Sequence, residues 1–266
     1  MPRDETHNST CPGTLIDCLG VSVRRLHWED FRSWVTAALD SSGRTTCIAI
    51  ANAHSLNLAW SDQSYRATLN SFDLVLNDGV GLELYSILRG ARFAYNFNGT
   101  DLWVRFFRDA ALAGRSISVY LYGGRPGRSD AAGEQLERRY SSVRIVGSLD
   151  GYSSRDQDVV ADIARTQPDL LLVGLGNPLQ ERWIERRRPH LKAHVACGVG
   201  ALFDFLSGAV PRAPRWMQRS RLEWVYRLKQ EPSRLFERYV VGNPLFLARS
   251  ALYLASGGGW GSPGAR

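Results

Sequence analysis

Asp78 sits between Asn77 and Gly79, directly after the short apolar run 73–76. A carboxylate in a turn at the end of a strand points into the crevice where such folds hold ligands. With an unperturbed pKa near about 3.9 it is ionised at neutral pH and able to accept a proton late in a displacement. The competing reading is an Asx-turn acid that bonds its own backbone. Asp156-Gln157-Asp158 has the D-x-D spacing that can hold a divalent metal through oxygen ligands. It follows Ser153-Ser154-Arg155, where a helix should begin, so two acids complementing a helix dipole is the plainer account. The histidines show no metal-ligand spacing, and His54, His190 and His194 read as structural or surface residues.

Glycine turns form the second set: Asn77-Asp78-Gly79, Gly123-Gly124-Arg125-Pro126-Gly127, Gly174-Leu175-Gly176-Asn177-Pro178 and Gly198-Val199-Gly200. Glycine lets backbone N–H groups approach an anion at a helix start. None of these turns completes the dinucleotide fingerprint, which speaks against a nicotinamide enzyme. No P-loop, H-E-x-x-H or G-x-S-x-G is present, which removes the commonest ATPase, metalloprotease and esterase chemistries.

The third set is basic. Between 212 and 249 nine basic residues face only Glu223, Glu231 and Glu237, whereas the whole chain carries a net +7. Nearly all are arginines, since Lys192 and Lys229 are the chain's only lysines, and the guanidinium fork suits phosphate. Arg212, Arg215, Arg219, Arg221, Arg227, Arg234 and Arg238 alternate with Trp216, Trp224, Tyr226, Phe236 and Tyr239. Such a segment can stack on single-stranded nucleic acid, sit on an anionic membrane, or close over a phosphorylated substrate; a solvated helical face is the bland alternative.

Positioning these groups falls to an alternation of strands and helices. Short β-branched or aliphatic runs at 45–51, 73–76, 117–122, 143–146, 170–173 and 195–198 read as buried strands. Helical periodicity fills 55–69, 101–113, 129–140, 155–166 and 180–188. This predicts an α/β fold, a Rossmann-like, mostly parallel sheet flanked by helices, with ligands at the carboxyl ends of the strands. The pattern changes near Gly208, so the expected organisation is an α/β core over 1–208, an Arg- and aromatic-rich helical appendage over 209–255 and a flexible glycine-rich tail over 256–266.

With 266 residues, 44% hydrophobic and 22% charged, the chain has a folded domain's composition, not that of a disordered or collagen-like one. Cys11, Cys18, Cys47 and Cys197 lack paired spacing, arguing against a zinc site or disulfide framework and for a reducing cytosol. There is no run of about 18 apolar residues and no basic-then-apolar leader, so neither a spanning helix nor a secretory signal is expected. Residues 240–254 are apolar but broken by Gly242, Asn243, Pro244 and Arg249, which suggests peripheral membrane attachment through 212–254.

The run from Pro168 to Glu181 resembles the "P-D-x-x-x-V-G-x-G-x-P-x-Q-E" signature of the WecG/TagA/CpsF glycosyltransferases. Agreement continues through Gly200-Ala201-Leu202-Phe203-Asp204, Arg212-Ala213-Pro214-Arg215-Trp216, Leu222-Glu223-Trp224-Val225-Tyr226-Arg227, Glu231-Pro232-Ser233-Arg234 and Arg238-Tyr239. Upstream, Asn77-Asp78-Gly79-Val80-Gly81, Gly99-Thr100-Asp101-Leu102 and Asp150-Gly151-Tyr152 fall in the same order. The resemblance implies an inverting, metal-independent and cofactor-free transferase. It would move an N-acetylmannosamine-type hexose from a UDP-sugar to an undecaprenyl-diphosphate-linked sugar, on the inner face of the bacterial plasma membrane, for cell-surface polysaccharide synthesis. It implies Asp78 as base and Arg227 and Arg234 as the arginines folding over the UDP diphosphate. Asn52, Gln180, Gly174, Gly176, Thr100, Asp101 and Arg212 would be substrate contacts. Nucleic acid is not expected as a partner, a homo-oligomer is allowed, and a non-catalytic basic module binding nucleic acid or lipid is the alternative. The chain departs from the family's usual residues at Ile50 (usually Thr), Asn96 (usually Arg) and Glu237 (usually basic), changes that bear on the choice of sugar.

Overall fold

The computed structural model describes residues 11–152, 155–214, 216–217, 220 and 223–257 of the chain, without the Arg234 side chain. An antiparallel hairpin of β1 (Thr14–Cys18) and β2 (Val21–Arg25) precedes α1 (Trp28–Leu39). The core then alternates through β3 (Thr46–Ala51), α2 (Ala53–Ser61), α3 (Gln63–Asn70), β4 (Leu74–Asn77), α4 (Val80–Leu88), α5 (Leu102–Leu112) and β5 (Ile117–Gly123). It continues with α6 (Arg128–Arg139), β6 (Val143–Leu149), α7 (Asp156–Thr166), β7 (Leu170–Gly174), α8 (Leu179–Arg187), β8 (Val195–Gly198) and α9 (Leu202–Leu206). Strands β3 to β8 form one six-stranded sheet in the order β4-β3-β8-β7-β5-β6, every pair parallel.

All six runs read as strands in the sequence are strands of this sheet. They alternate between two cores because successive side chains leave a strand on opposite faces. Ile48, Ile50, Val119, Leu121, Leu170 and Leu172 face the layer of α1, α5, α6 and α9, where Phe31, Trp103 and Phe107 are fully buried. Cys47, Ala49, Ala51, Tyr120, Leu171 and Val173 face the layer of the hairpin, α2, α3, α4, α7 and α8. With both faces covered, β3, β5, β7 and β8 carry no exposed residue, which is why they read as continuous apolar runs.

The helix expected over 55–69 is two helices. Asp62 has extended backbone; it ends α2 and caps α3 by accepting the Tyr65 N–H at 2.9 Å. Asp156 and Asp158 stand in the first turn of α7, as the helix-start reading of the D-x-D motif has it, and the Asp156 carboxylate accepts from Trp183 Nε1 at 2.8 Å and Arg187 Nη2 at 2.7 Å.

The appendage contributes α10 (Glu223–Gln230), α11 (Pro232–Phe236), a π turn at Glu237–Val241 and α12 (Gly242–Ala255). The last helix lies against α2 and α4. Phe246, Ser250 and Tyr253 are buried, Asn57 Nδ2 donates to the Gly242 carbonyl at 2.7 Å, and Tyr253 donates to Asp17 of the hairpin at 2.6 Å.

β5 and β7 meet at Gly123 and Gly174. Gly123 has φ +121°, and a Cβ there would lie 2.6 Å from the Gly174 carbonyl carbon and oxygen, backbone that cannot yield without parting the strands. Gly123→Ala is therefore expected to lower stability by more than about 2 kcal/mol, read as a shifted urea midpoint; an unchanged midpoint would show that the two strand ends can separate freely.

Candidate active site

The four neighbouring strands β4, β3, β8 and β7 end in a row, and the residues just past them converge on a cavity of about 940 Å³ roofed by the appendage. From β4 comes Asp78. Its loop is held rigidly: Asp78 N–H donates to the Ala51 carbonyl at 2.8 Å and Phe97 N–H to the Asn77 carbonyl at 2.9 Å. Gly79 N–H donates to Asn96 Oδ1 at 2.9 Å, so one of the family departures braces the turn behind the acid. Asp78 lines the cavity, half-buried as a residue and with its carboxyl packed in protein. That burial pushes its pKa up to about 6 against the opposing pull of Arg238, the Gly99 N–H and Arg227, with Glu223 adding a push in the same upward direction.

The cations come from the roof. Arg227 of α10 lines the cavity with its guanidinium 5.1 Å from the centre of the Phe205 ring. Arg238 lines it from the π turn, whose neighbour Tyr239 packs edge-on to Trp224 at 6.0 Å. The charge that most lowers the Asp78 pKa is that of Arg238, a residue that sequence reasoning quoted in a motif but gave no role. Arg234, which it did single out, has backbone in α11 but a side chain outside the described residues. Arg215, Arg219 and Arg221, and most of the predicted tail, also lie outside them.

From β3 comes Asn52. It caps α2 by accepting the Ser55 N–H at 3.1 Å, while Ser55 Oγ accepts the Asn52 N–H at 2.8 Å. Its Oδ1 is thus occupied, and the carboxamide lines the cavity with its NH₂ group still to be used. His54, two residues on, also lines the cavity. Burial, and then the charge of Arg238, lower its pKa to about 4, so it is a neutral imidazole there at physiological pH. Its isolated position gave no metal-site pattern; its place two residues after a helix-capping Asn at a strand end was the signal available.

Gln180 serves the β7 and β8 turns. Its Oε1 accepts from Gly176 N–H at 3.2 Å and Gly200 N–H at 2.9 Å, and its Nε2 donates to Glu181 at 2.7 Å. Although it borders the cavity, its hydrogen bonds hold the two glycine turns together. Glu181 is fully buried, takes further hydrogen bonds from Asn177 at 2.7 Å and Tyr65 at 3.1 Å, and is pushed up to about 7 by that burial.

Thr100 and Gly176 line the cavity; Gly174, Asp101 and Arg212 do not. Gly174 is packing space, since a Cβ there would meet the Phe203 ring at 2.8 Å. Arg212 pairs with Asp101 of the core and with Glu223 at 3.2 Å, tying the start of the appendage beside the cavity. Ile50 and Glu237, the other two departures, both border the cavity.

A carboxylate of raised pKa facing two arginines can deprotonate a hydroxyl while the cations take up negative charge on a departing group. Comparison with known proteins narrows the chemistry: the family model for "Glycosyl transferase WecG/TagA/CpsF family" matches residues 16–257. The chain belongs to this glycosyltransferase family.

A Bacillus subtilis (strain 168) relative is 34% identical over 70% of this chain and 72% of its own length. One from Bacillus spizizenii is 35% identical over 66% and 68%, and one from Staphylococcus aureus (strain MRSA252) 28% identical over 68% and 70%. Each is named N-acetylglucosaminyldiphosphoundecaprenol N-acetyl-beta-D-mannosaminyltransferase. The chain is accordingly a glycosyltransferase, and the cavity below the appendage is its candidate active site.

Two stability tests follow from this geometry. A carboxyl whose folded pKa is raised above its unfolded value costs stability once ionised: the cost is absent below about 3.8, grows as pH rises, and is complete above about 6. Asp78→Asn should therefore stabilise the protein by about 1–2 kcal/mol at pH 8 and by nothing near pH 3.5, allowing for solvent in the cavity. Equal unfolding midpoints at pH 8 would contradict it. Gln180→Ala strands two glycine N–H donors and should cost about 2–4 kcal/mol by chemical denaturation. An unaltered midpoint there would leave Gln180 as a substrate contact only.

Proposed function

We propose that this WecG/TagA/CpsF-family protein transfers an N-acetylmannosamine-type hexose from a UDP-sugar to an undecaprenyl-diphosphate-linked N-acetylglucosamine, with inversion. The observation that carries this reading is the meeting of Asp78, with its pKa near 6, and the appendage arginines Arg227 and Arg238 in one cavity. The relatives' names supply the acceptor and the transferred sugar.

In the proposed reaction Asp78 takes the proton of the acceptor hydroxyl as its oxygen attacks the anomeric carbon. The bond from that carbon to the donor diphosphate breaks on the opposite side, and UDP leaves with the electron pair. Negative charge grows on the diphosphate in the transition state, and Arg227 and Arg238, with Arg234 from the adjoining helix, stabilise it there. A pKa near 6 suits the base: it is mostly ionised at pH 7.5, yet its conjugate acid is weaker than that of an ordinary surface aspartate, so it draws the proton harder. The role given to the arginines is one that a divalent metal plays elsewhere, and the proposed reaction proceeds without one. Asn52, His54 and Thr100 line the cavity as neutral hydrogen-bonding groups for the sugar and its nucleotide. Asn96 and Glu237 line the cavity where the family usually has basic residues, and in this reading that loss of positive charge bears on the choice of donor sugar.

The decisive assay is UDP release from a panel of UDP-sugars, with and without a short-chain prenyl-diphosphate N-acetylglucosamine, in EDTA. Acceptor-dependent release from one donor is expected; release that requires an added metal, or none from any donor, would overturn the reading. Asp78→Asn should lower kcat by about 10²–10⁴-fold. The wild-type rate should fall below an acid limb near pH 6, because only the ionised carboxylate takes the proton. Arg227→Ala and Arg238→Ala should each lower kcat by about 10–1,000-fold with the melting temperature nearly unchanged; a loss confined to KM would move those arginines from transition-state to ground-state binding.

A further inference from the structure

Helix α4 has an unusual outer surface. Leu82, Tyr85 and Ser86 are buried against the core, yet the opposite stripe is also apolar: Val80, Leu84, Ile87 and Leu88 are 37%, 44%, 50% and 65% exposed. The helix's single charge, Glu83, is turned mostly inward, 3.8 Å from Arg92. A surface helix normally shows polar residues on its outer face, so an apolar stripe spaced i, i+4, i+7, i+8 needs an occupant.

Helix α12 packs beside α4 through Phe246, which lies 6.3 Å from Tyr85. Its only charge is also directed inward: Arg249 donates to the Asn57 carbonyl at 2.8 Å and to Ser61 Oγ at 3.0 Å. That leaves Leu245, Leu247 and Leu252 exposed with no charge among them. Val80 and Leu84 from α4, and Leu245 and Leu247 from α12, border the cavity itself, so the apolar surface runs into the mouth of the active site. Arg89 and Arg92, both exposed, stand at the far end of α4.

We infer that the paired outer faces of α4 and α12 are the protein's docking surface for an anionic bilayer, set into the headgroup–acyl boundary so that the cavity opens onto the lipid. This deepens, and rests on, the proposed lipid-linked acceptor. Three observations favour a bilayer over a protein partner. The apolar stripe opens into a cavity whose proposed acceptor is itself a lipid; its flank is cationic, which matches anionic headgroups; and its residues are aliphatic, in contrast with the aromatic anchors usual at protein interfaces. The inference narrows the expected attachment through 212–254 to its last helix, α12, and adds α4 of the core. Arg212, Arg227, Arg238 and Arg249 are engaged with the core or the cavity, and the lipid-facing surface is shared with a helix of the α/β core.

The test uses the full chain and an Ile87→Glu/Leu88→Glu variant, two exposed positions outside the cavity lining. Sedimentation with phosphatidylglycerol/phosphatidylcholine vesicles should show wild type bound and the variant at least 10-fold weaker. Their melting temperatures and their rates with the water-soluble short-chain acceptor should be equal. Transfer to a long-chain acceptor embedded in those vesicles should fall with the binding. Vesicle binding by the variant equal to wild type overturns the inference. So does a wild-type dimer in light scattering that the variant abolishes while neither form binds vesicles, which would assign the stripe to a second copy of this chain. If wild type binds vesicles but transfers to neither acceptor, the proposed reaction fails while the docking surface stands.

Discussion

Everything in the site depends on withdrawing one carboxylate from water without neutralising it. Asp78 lies at the end of a buried strand, where the sheet supplies no counter-charge, and its pKa rises because the surrounding protein disfavours the ion. Arg238 and Arg227 limit that rise from the roof without making the acid as weak a base as a surface carboxylate. The core by itself would hold the acid open to solvent; the appendage by itself would be a set of cations with nothing to act on. The charge concentrated in the last fifth of the sequence is the complement of an acid far earlier in the chain.

The glycine turns play a different part from the one their composition suggests. Gly123 and Gly174 allow two strand ends to touch, and Gly176 and Gly200 offer N–H groups that Gln180 gathers. Below Gln180, the Glu181 carboxyl collects donors from Asn177 and Tyr65, so the floor of the cavity is a closed polar network inside an apolar fold. Such networks fix geometry when every member is satisfied.

Much of this was legible in the sequence, for identifiable reasons. Parallel strands buried on both faces are written as unbroken apolar runs, so all six strands of the sheet could be read directly, and the turn holding Asp78 followed one of them. The β1–β2 hairpin was not legible, because five-residue strands with one solvent-facing side carry little signal. Helix α4 was not legible either, since a segment apolar on both faces has no amphipathic period to detect. At the site, motif likeness put Gln180, Gly174, Asp101 and Arg212 in one class with Asn52. Their partners separate them: Gln180 holds two backbones, Gly174 makes room for Phe203, and Arg212 ties the roof to Asp101. Arg238 and His54 were visible as letters, but their roles depend on a π turn and a helix start whose proximity only the folded chain reveals.

The closure at Asp17 has a consequence in time. Tyr85 donates to the Asp17 carbonyl at 2.9 Å and Tyr253 to its carboxylate at 2.6 Å, so the final described helix is fastened to the first hairpin through one residue. During synthesis the sheet, the glycine turns and Asp78 all leave the ribosome before the arginines that roof them. A nascent chain can thus fold its core with Asp78 in an open cleft, and that cleft gains its arginine roof only when the last described helix returns to the segment that emerged first. On the proposed reaction, assembly order itself would keep half-made chains inert.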